Sequence, residues 1–179
     1  MVKYLSEQGH DVTVASLSRS DEETAECQGI EDYCDKFTLV QVNETLQNVR
    51  MVSRLLSKDP SSMGYFYSRD LQHKVNQLLK YNQYDLIVVF SSSAAQYVEH
   101  VTDIPKMLDF CDMDSQKWLA YVDYKKWPIS MGYALEGRKL VADEKRLAKK
   151  FDLCSCATDF EVETLESYVT GVASGYFPN

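Results

Sequence analysis

"YDLIVVFSSSAAQYVEHVTDIPKMLDFCDMDSQKW", residues 84–118, decides the fold. Tyr84–Phe90 is a nearly continuous apolar run. Such a strand is expected to be covered on both faces, as in a parallel sheet. "SSSAAQYVEHV" follows as turn and helix, and Ile104–Phe110 is the next strand. Strand, helix, strand in that order is the repeating unit of an α/β domain.

The same alternation extends both ways. Upstream, a first helix ends at Gly9, a good residue just past a helix end, and "VTVASL" (Val12–Leu17) reads as a strand. Lys36–Val42 is a second strand. Glu44–Ser57 is a helix capped by Asn43, with Leu46, Val49, Val52 and Leu55 on one stripe. Ser68–Tyr81 is another helix. Downstream, a helix runs from about Asp114 to Lys126 and Pro128 breaks it. A long helix rich in paired charges spans about Ser130–Lys150. Phe151–Thr158 is a strand and "DFEVETLESYV" a helix. The expected class is α/β, Rossmann-like, a mostly parallel sheet with flanking helices, over one domain of residues 1–179. Ligands bind at the carboxyl ends of strands in such sheets, where "SSS" and "DFCDMDS" both sit. The chain starts inside a helix, so the first strand-helix unit reads as half missing. The tail "GYFPN" stops as if a linker should follow.

Composition excludes several classes. The chain has 179 residues, 45% hydrophobic and 26% charged, ordinary for a globular domain. A net charge of −8 argues against wholesale binding to nucleic acid or anionic lipid, though a local basic patch stays open. No apolar run approaches the ~20 residues of a membrane span, and no signal-peptide core follows Met1. Five scattered cysteines suit reduced thiols in a cytosolic protein. Cys154 and Cys156 share a strand face, and no partner pair completes a tetrahedral site, so buried thiols are expected there and no metal. His10, His73 and His100 form no triad and are expected to be structural or exposed.

Three long stretches carry a family resemblance: "MVSRLLSKDPSSMGYFYSRDLQHKVNQLLKYNQYDLIVVFSSSAAQYVE", "MLDFCDMDSQKWLAY" and "GYALEGRKLVADEKRLAKKFDLCSCATDFEVETL". Together they resemble the N-terminal domain of family 4 glycosyltransferases of GT-B fold, in the PEP-CTERM/exosortase-associated sugar transferase branch. The matching stretches reach from Met1 to Asn179, and "YFPN" resembles the start of the interdomain linker. The resemblance implies a bacterial, cytoplasmic enzyme of exopolysaccharide assembly. It would move a sugar from a nucleotide-sugar donor to a glycan or lipid-linked acceptor, with no other cofactor. This chain would be the acceptor-side half, lacking the opening strand and its Gly-rich loop. The donor would be held mainly by a second domain, and the fragment alone would be inactive. A lipid-linked acceptor would bring a peripheral contact with the inner membrane face. The rival reading is a non-catalytic α/β binding domain or an inactive gene fragment.

Candidate residues follow at the strand ends. Ser91, Ser92 and Ser93 either cap a helix starting near Ala94 or bind a sugar hydroxyl or phosphate. Asp114 or Ser115 is the expected cap of the helix carrying Trp118, and Asp109 lies opposite Leu108 and Phe110 on the strand. Asp109 and Asp114 stay open as substrate contacts. Asp112 is freest to orient an acceptor hydroxyl or take its proton. In "YFYSRDL", Tyr67 could stack on a sugar and Arg69 pair with a phosphate, against a packing role for the aromatics. "YKKWPISMGY" (Tyr124–Tyr133) is either a solvated loop or a membrane-interface segment. Glu136 and Glu144 imitate the E-x7-E pair of retaining glycosyltransferases, but that pair belongs to the second domain. Here they lie on one helix, about 80° apart by helical rotation. Glu136 is placed to pair with Lys139, and both acids are expected on a solvated face.

Overall fold

Short apolar strands that alternate with helices close into parallel sheets, because each helix returns the chain to the same end of the sheet. The computed structural model describes residues 1–177, so Pro178 and Asn179 of the linker-like tail lie outside the described residues. Its elements are α1 (Val2–Glu7), β1 (Thr13–Ser18), α2 (Asp21–Glu26), β2 (Lys36–Gln41), α3 (Glu44–Ser53), α4 (Ser61–Tyr65), α5 (Arg69–Tyr81) and β3 (Ile87–Phe90). There follow β4 (Lys106–Asp109), α6 (Asp114–Tyr121), α7 (Ile129–Ala148), β5 (Leu153–Cys156), α8 (Asp159–Tyr168) and β6 (Ser174–Tyr176). Single 3-10 segments occupy Cys27–Tyr33, Ser92–Tyr97 and Val122–Tyr124.

The fold is α/β and Rossmann-like, with every strand pair parallel. The strands form two sheets, β1-β2 and β3-β4-β5-β6, rather than one. One apolar core joins them, with Leu17 and Val40 from the first sheet and Val89, Leu108 and Cys154 from the second. Helix α5 packs on β1 and β2 and contributes Leu71 and Val75 to that core. His10, His73 and His100 are exposed.

Three expectations need correction. First, the strand of Tyr84–Phe90 is covered on one face only. Val89, Leu108 and Cys154 are aligned in register and buried, whereas Phe90 is 59% exposed, and Val88 and Leu153 are exposed with it. Each step from β3 to β6 moves the same way across the sheet. Right-handed crossovers then fall on a single face.

Second, the apolar stripe of α3 points outward. Leu46, Val49, Val52 and Leu55 are exposed, and the buried residue is Gln47. The inner face of α3 meets the backbone of Tyr65–Tyr67, whose carbonyls need donors. Gln47 Nε2 donates to Tyr65 O at 2.5 Å and to Tyr67 O at 2.9 Å, and Arg50 Nη1 donates to Tyr67 O at 2.8 Å. The helix ends at Ser53, short of Ser57.

Third, the helix from Asp114 stops at Tyr121, with one 3-10 turn to Tyr124 instead of a continuation to Lys126. Strand β6, helix α2 and the segment Cys27–Tyr33 carry no strong periodicity and were not expected.

The approach of α3 to α4 depends on Gly64. A Cβ there would lie 2.9 Å from the backbone oxygen of Arg50, which no side-chain rotation relieves. Gly64→Ala should destabilise the chain by about 1–3 kcal/mol, the usual cost of overpacking. A lower urea midpoint at unchanged slope is the expected measurement.

Candidate functional site

The carboxyl ends of the strands gather most of the predicted site. Between the ends of β1 and β2 an open depression of about 500 Å³ is lined by Arg19, Gln41, Val42, Asn43, Glu44 and Thr45. Arg19 pairs with Glu23 and lies beside Tyr65, and Gln41 donates to Asp21 at 2.9 Å. Sequence reasoning missed Arg19 and Gln41; their only signal is position, one at the end of β2 and one just past β1.

The ends of β3 and β4 lie side by side, and both leave the sheet through residues of positive φ. Ser91 has φ +76° and Cys111 φ +63°. Non-glycine residues rarely adopt such angles, and strained positions cluster at functional sites. Ser91 N donates to Asp109 O at 2.8 Å, which ties the two turns together. The Ser91 and Ser93 hydroxyls meet at 3.0 Å, and Ser92 is buried. The expected cap does not form: Ser92–Tyr97 is a 3-10 segment, and no serine side chain accepts from its amides.

The acids divide by role. Asp109 is buried, and its Oδ1 accepts from Cys111 N at 3.0 Å, a bond that holds the strained turn. Asp112 is exposed and takes no hydrogen bond or ion pair among the described residues. Asp114 is the first residue of α6, not its cap; Met113 holds the cap position without a side-chain bond. Burial raises the Asp114 carboxyl above its ordinary range, against the pull of Lys117. The amides of α6 are satisfied from elsewhere. Met113 N donates to Glu161 Oε1 at 2.9 Å, and Ser115 N donates to Glu144 Oε1 at 2.9 Å. An imported carboxylate satisfies the amides as well as a local one does, and favours the positive end of the helix dipole.

Glu136 and Glu144 are therefore not on a solvated face. Both are buried. Glu136 Oε1 accepts from Ser61 N at 2.5 Å and Ser61 Oγ at 2.7 Å, at the start of α4. Its other oxygen lies 3.8 Å from Lys139 Nζ, the ion pair expected from their spacing.

Tyr67 stacks on the Tyr97 ring, with planes 7° apart and centroids at 6.1 Å. Tyr97 holds the same loop, accepting from Ser68 N at 2.7 Å and donating to Phe66 O at 2.6 Å. Arg69 is exposed at the start of α5. Burial pushes the thiol of Cys111 up to about 11 and those of Cys154 and Cys156 up to about 12, so none is a ready nucleophile. Among the described residues no three His, Cys, Asp or Glu side chains converge on a point that could hold a metal ion. What the strand ends offer is exposed carboxylates without a hydrogen-bond partner among the described residues (Glu44, Asp112 and Asp159), paired hydroxyls and a guanidinium, groups suited to hydroxyl-rich or anionic ligands.

Glu144 makes this region pH-sensitive. Burial pushes its carboxyl up to about 7 from 4.5, with the bonds to Ser115 opposing. A carboxyl raised by folding stabilises the folded state most below its unfolded value, and that stability is lost as pH rises from about 4.5 to 7, in all about 3 kcal/mol. Glu144→Gln keeps the acceptor for Ser115 N and removes the titration. Thermal melts should show the wild type losing several degrees between pH 5 and 7.5 relative to the variant.

No known protein family matches the chain, and no curated protein matches it.

Proposed function

We propose that the chain is the acceptor-side domain of a GT-B glycosyltransferase of exopolysaccharide assembly. It would act with a nucleotide-sugar donor on a glycan or a lipid-linked acceptor at the cytoplasmic face of a membrane. The reading is supported by the resemblance across the three stretches quoted above and by a parallel α/β fold with an open line of strand ends. The observation that carries it is the state of Asp112. Four acids around it have a structural duty or are half-buried: Asp109 holds Cys111, Glu144 and Glu161 hold α6, and Asp114 is drawn into the protein. Of the three aspartates in Asp109–Asp114, Asp112 is the exposed one, beside two strained turns. A carboxylate there can accept the hydrogen bond of an acceptor hydroxyl. If the reaction inverts configuration it takes the proton; if it retains, it only orients. The Ser91 and Ser93 hydroxyls, one strand away, can bind neighbouring sugar hydroxyls or phosphate.

The test is sugar transfer by the longer protein that the resemblance implies. Asp112→Asn should lower kcat/KM for the acceptor at least tenfold while the donor KM stays within about twofold, a loss of roughly 1.4 kcal/mol or more in transition-state binding. Unchanged turnover removes Asp112 from the mechanism, and no turnover of any nucleotide sugar by the wild type sinks the reading.

A further inference from the structure

Helices α6 and α7 form an antiparallel hairpin. Ser115 meets Glu144, Leu119 lies against Gly137, and Trp118 and Tyr121 pack on Tyr133 at ring distances of 5.1 and 5.6 Å. Ser115 is level with the carboxyl end of β4. From Glu144 back to Ile129 helix α7 rises about 22 Å at 1.5 Å per residue, so the tip of the hairpin projects well beyond the strand ends.

That tip is apolar and bare. Every residue from Asp123 to Ile129 is exposed, with Tyr124 at 82% and Trp127 at 80%. Met131 and Leu135, four residues apart on α7, continue the apolar surface, and Arg138 extends the same stripe. Helix α6 offers Lys117 and Tyr121 at the same spacing. The tip is also locally basic in a chain of net charge −8. Lys117, Lys125, Lys126 and Arg138 are exposed, against Asp123 as the exposed acid of residues 117–138.

We infer that this tip docks on an anionic lipid bilayer, with Trp127 and Tyr124 seated at the headgroup level and Lys125 and Lys126 on lipid phosphates. Trp and Tyr prefer that level because one end of each ring system is apolar and the other polar. Flanking cations add attraction to anionic lipid, and the combination anchors where either alone is weak. A second copy of the chain fits the surface poorly. A two-fold interface centred on the tip would gather four lysines, Lys125 and Lys126 of each copy, against two Asp123 carboxylates. The inference does not rest on the transferase reading: a domain that moves no sugar can still dock, and failure to dock leaves sugar transfer untouched.

The experiment is flotation of the chain with phosphatidylcholine vesicles containing about one third phosphatidylglycerol, with tryptophan emission recorded in parallel. The wild type should float, with a blue shift of emission, and should float at least tenfold less with pure phosphatidylcholine. Trp127→Ala and the double variant K125E/K126E replace exposed residues and should keep the wild-type circular dichroism and melting temperature. Each should lower partition into the anionic vesicles at least tenfold, and the blue shift should vanish in Trp127→Ala. Any of three results overturns the inference. The folded wild type could stay out of anionic vesicles, the variants could partition as it does, or the chain could be a dimer in solution that Trp127→Ala converts to monomer. The last would make the tip a protein contact instead.

Discussion

The structure depends on two buried carboxylates of one helix. Helices α4 and α6 have five and eight residues, too few to hold themselves together in water. Their first amides need acceptors, and neither has a side-chain cap of its own. Helix α7 supplies both acceptors, Glu136 to α4 and Glu144 to α6. Each bond to a charged partner contributes about 1.5–3 kcal/mol, enough to offset much of the cost of burying the acid. Lys139 extends the arrangement. Besides pairing with Glu136, its Nζ donates to Arg54 O at 3.2 Å and Leu55 O at 2.9 Å, the carbonyls past the end of α3. One helix thus fixes the start of α4, the start of α6 and the end of α3.

This frees the turn at the end of β4 for other uses. A turn that begins a helix ordinarily places its own Asp or Ser on the first amides. Here Glu144 and Glu161 reach in from α7 and α8. Glu161 does so while its second oxygen closes a capping box with Thr158. Asp112 and Asp114 have no cap to make, and Cys111 keeps its positive φ because Asp109 and two backbone bonds hold it. Burial then separates the two acids, raising the Asp114 carboxyl and leaving Asp112 in water.

What was legible in the sequence was local. Asn43 caps α3 as expected, because a cap is written within four residues; Ser68 and Thr158 cap α5 and α8, where the sequence places a first helical residue and a strand end. Strands β1 to β5, but not β6, are legible from their apolar runs, and the pairing of Glu136 with Lys139 follows from one turn of helix. What failed involved distant partners. The apolar stripe of α3 gave no sign that Gln47 and Arg50 would be drawn inward by the carbonyls of Tyr65 and Tyr67. The two glutamates of α7 looked solvated because their partners, Ser61 and Ser115, lie 75 and 29 residues away. Of the site, the strand ends and their acids were visible, but the division of duties among those acids was not. Arg19 was missed because a single Arg after a strand looks like any surface charge.

The division into two sheets sets how firmly the site is held. Among the described residues β1 pairs only with β2, and β3 only with β4, so each keeps one edge without a partner strand there. No backbone ladder therefore ties the depression at Arg19 to the turn at Ser91. One link is helix α5, which lies on β1 and β2, buries Leu71 and Val75 in the common core, and donates from Gln72 to Tyr97 O at 3.0 Å; another is the loop of Tyr65–Ser68, beside Arg19 and held by Tyr97. Side-chain packing yields more easily than a hydrogen-bonded ladder, whose strands are locked at about 4.8 Å. The spacing within either sheet is set by its backbone, whereas the spacing between the sheets is set by side-chain packing in the common core and by the hydrogen bonds of Tyr97 to the loop of Tyr65–Ser68.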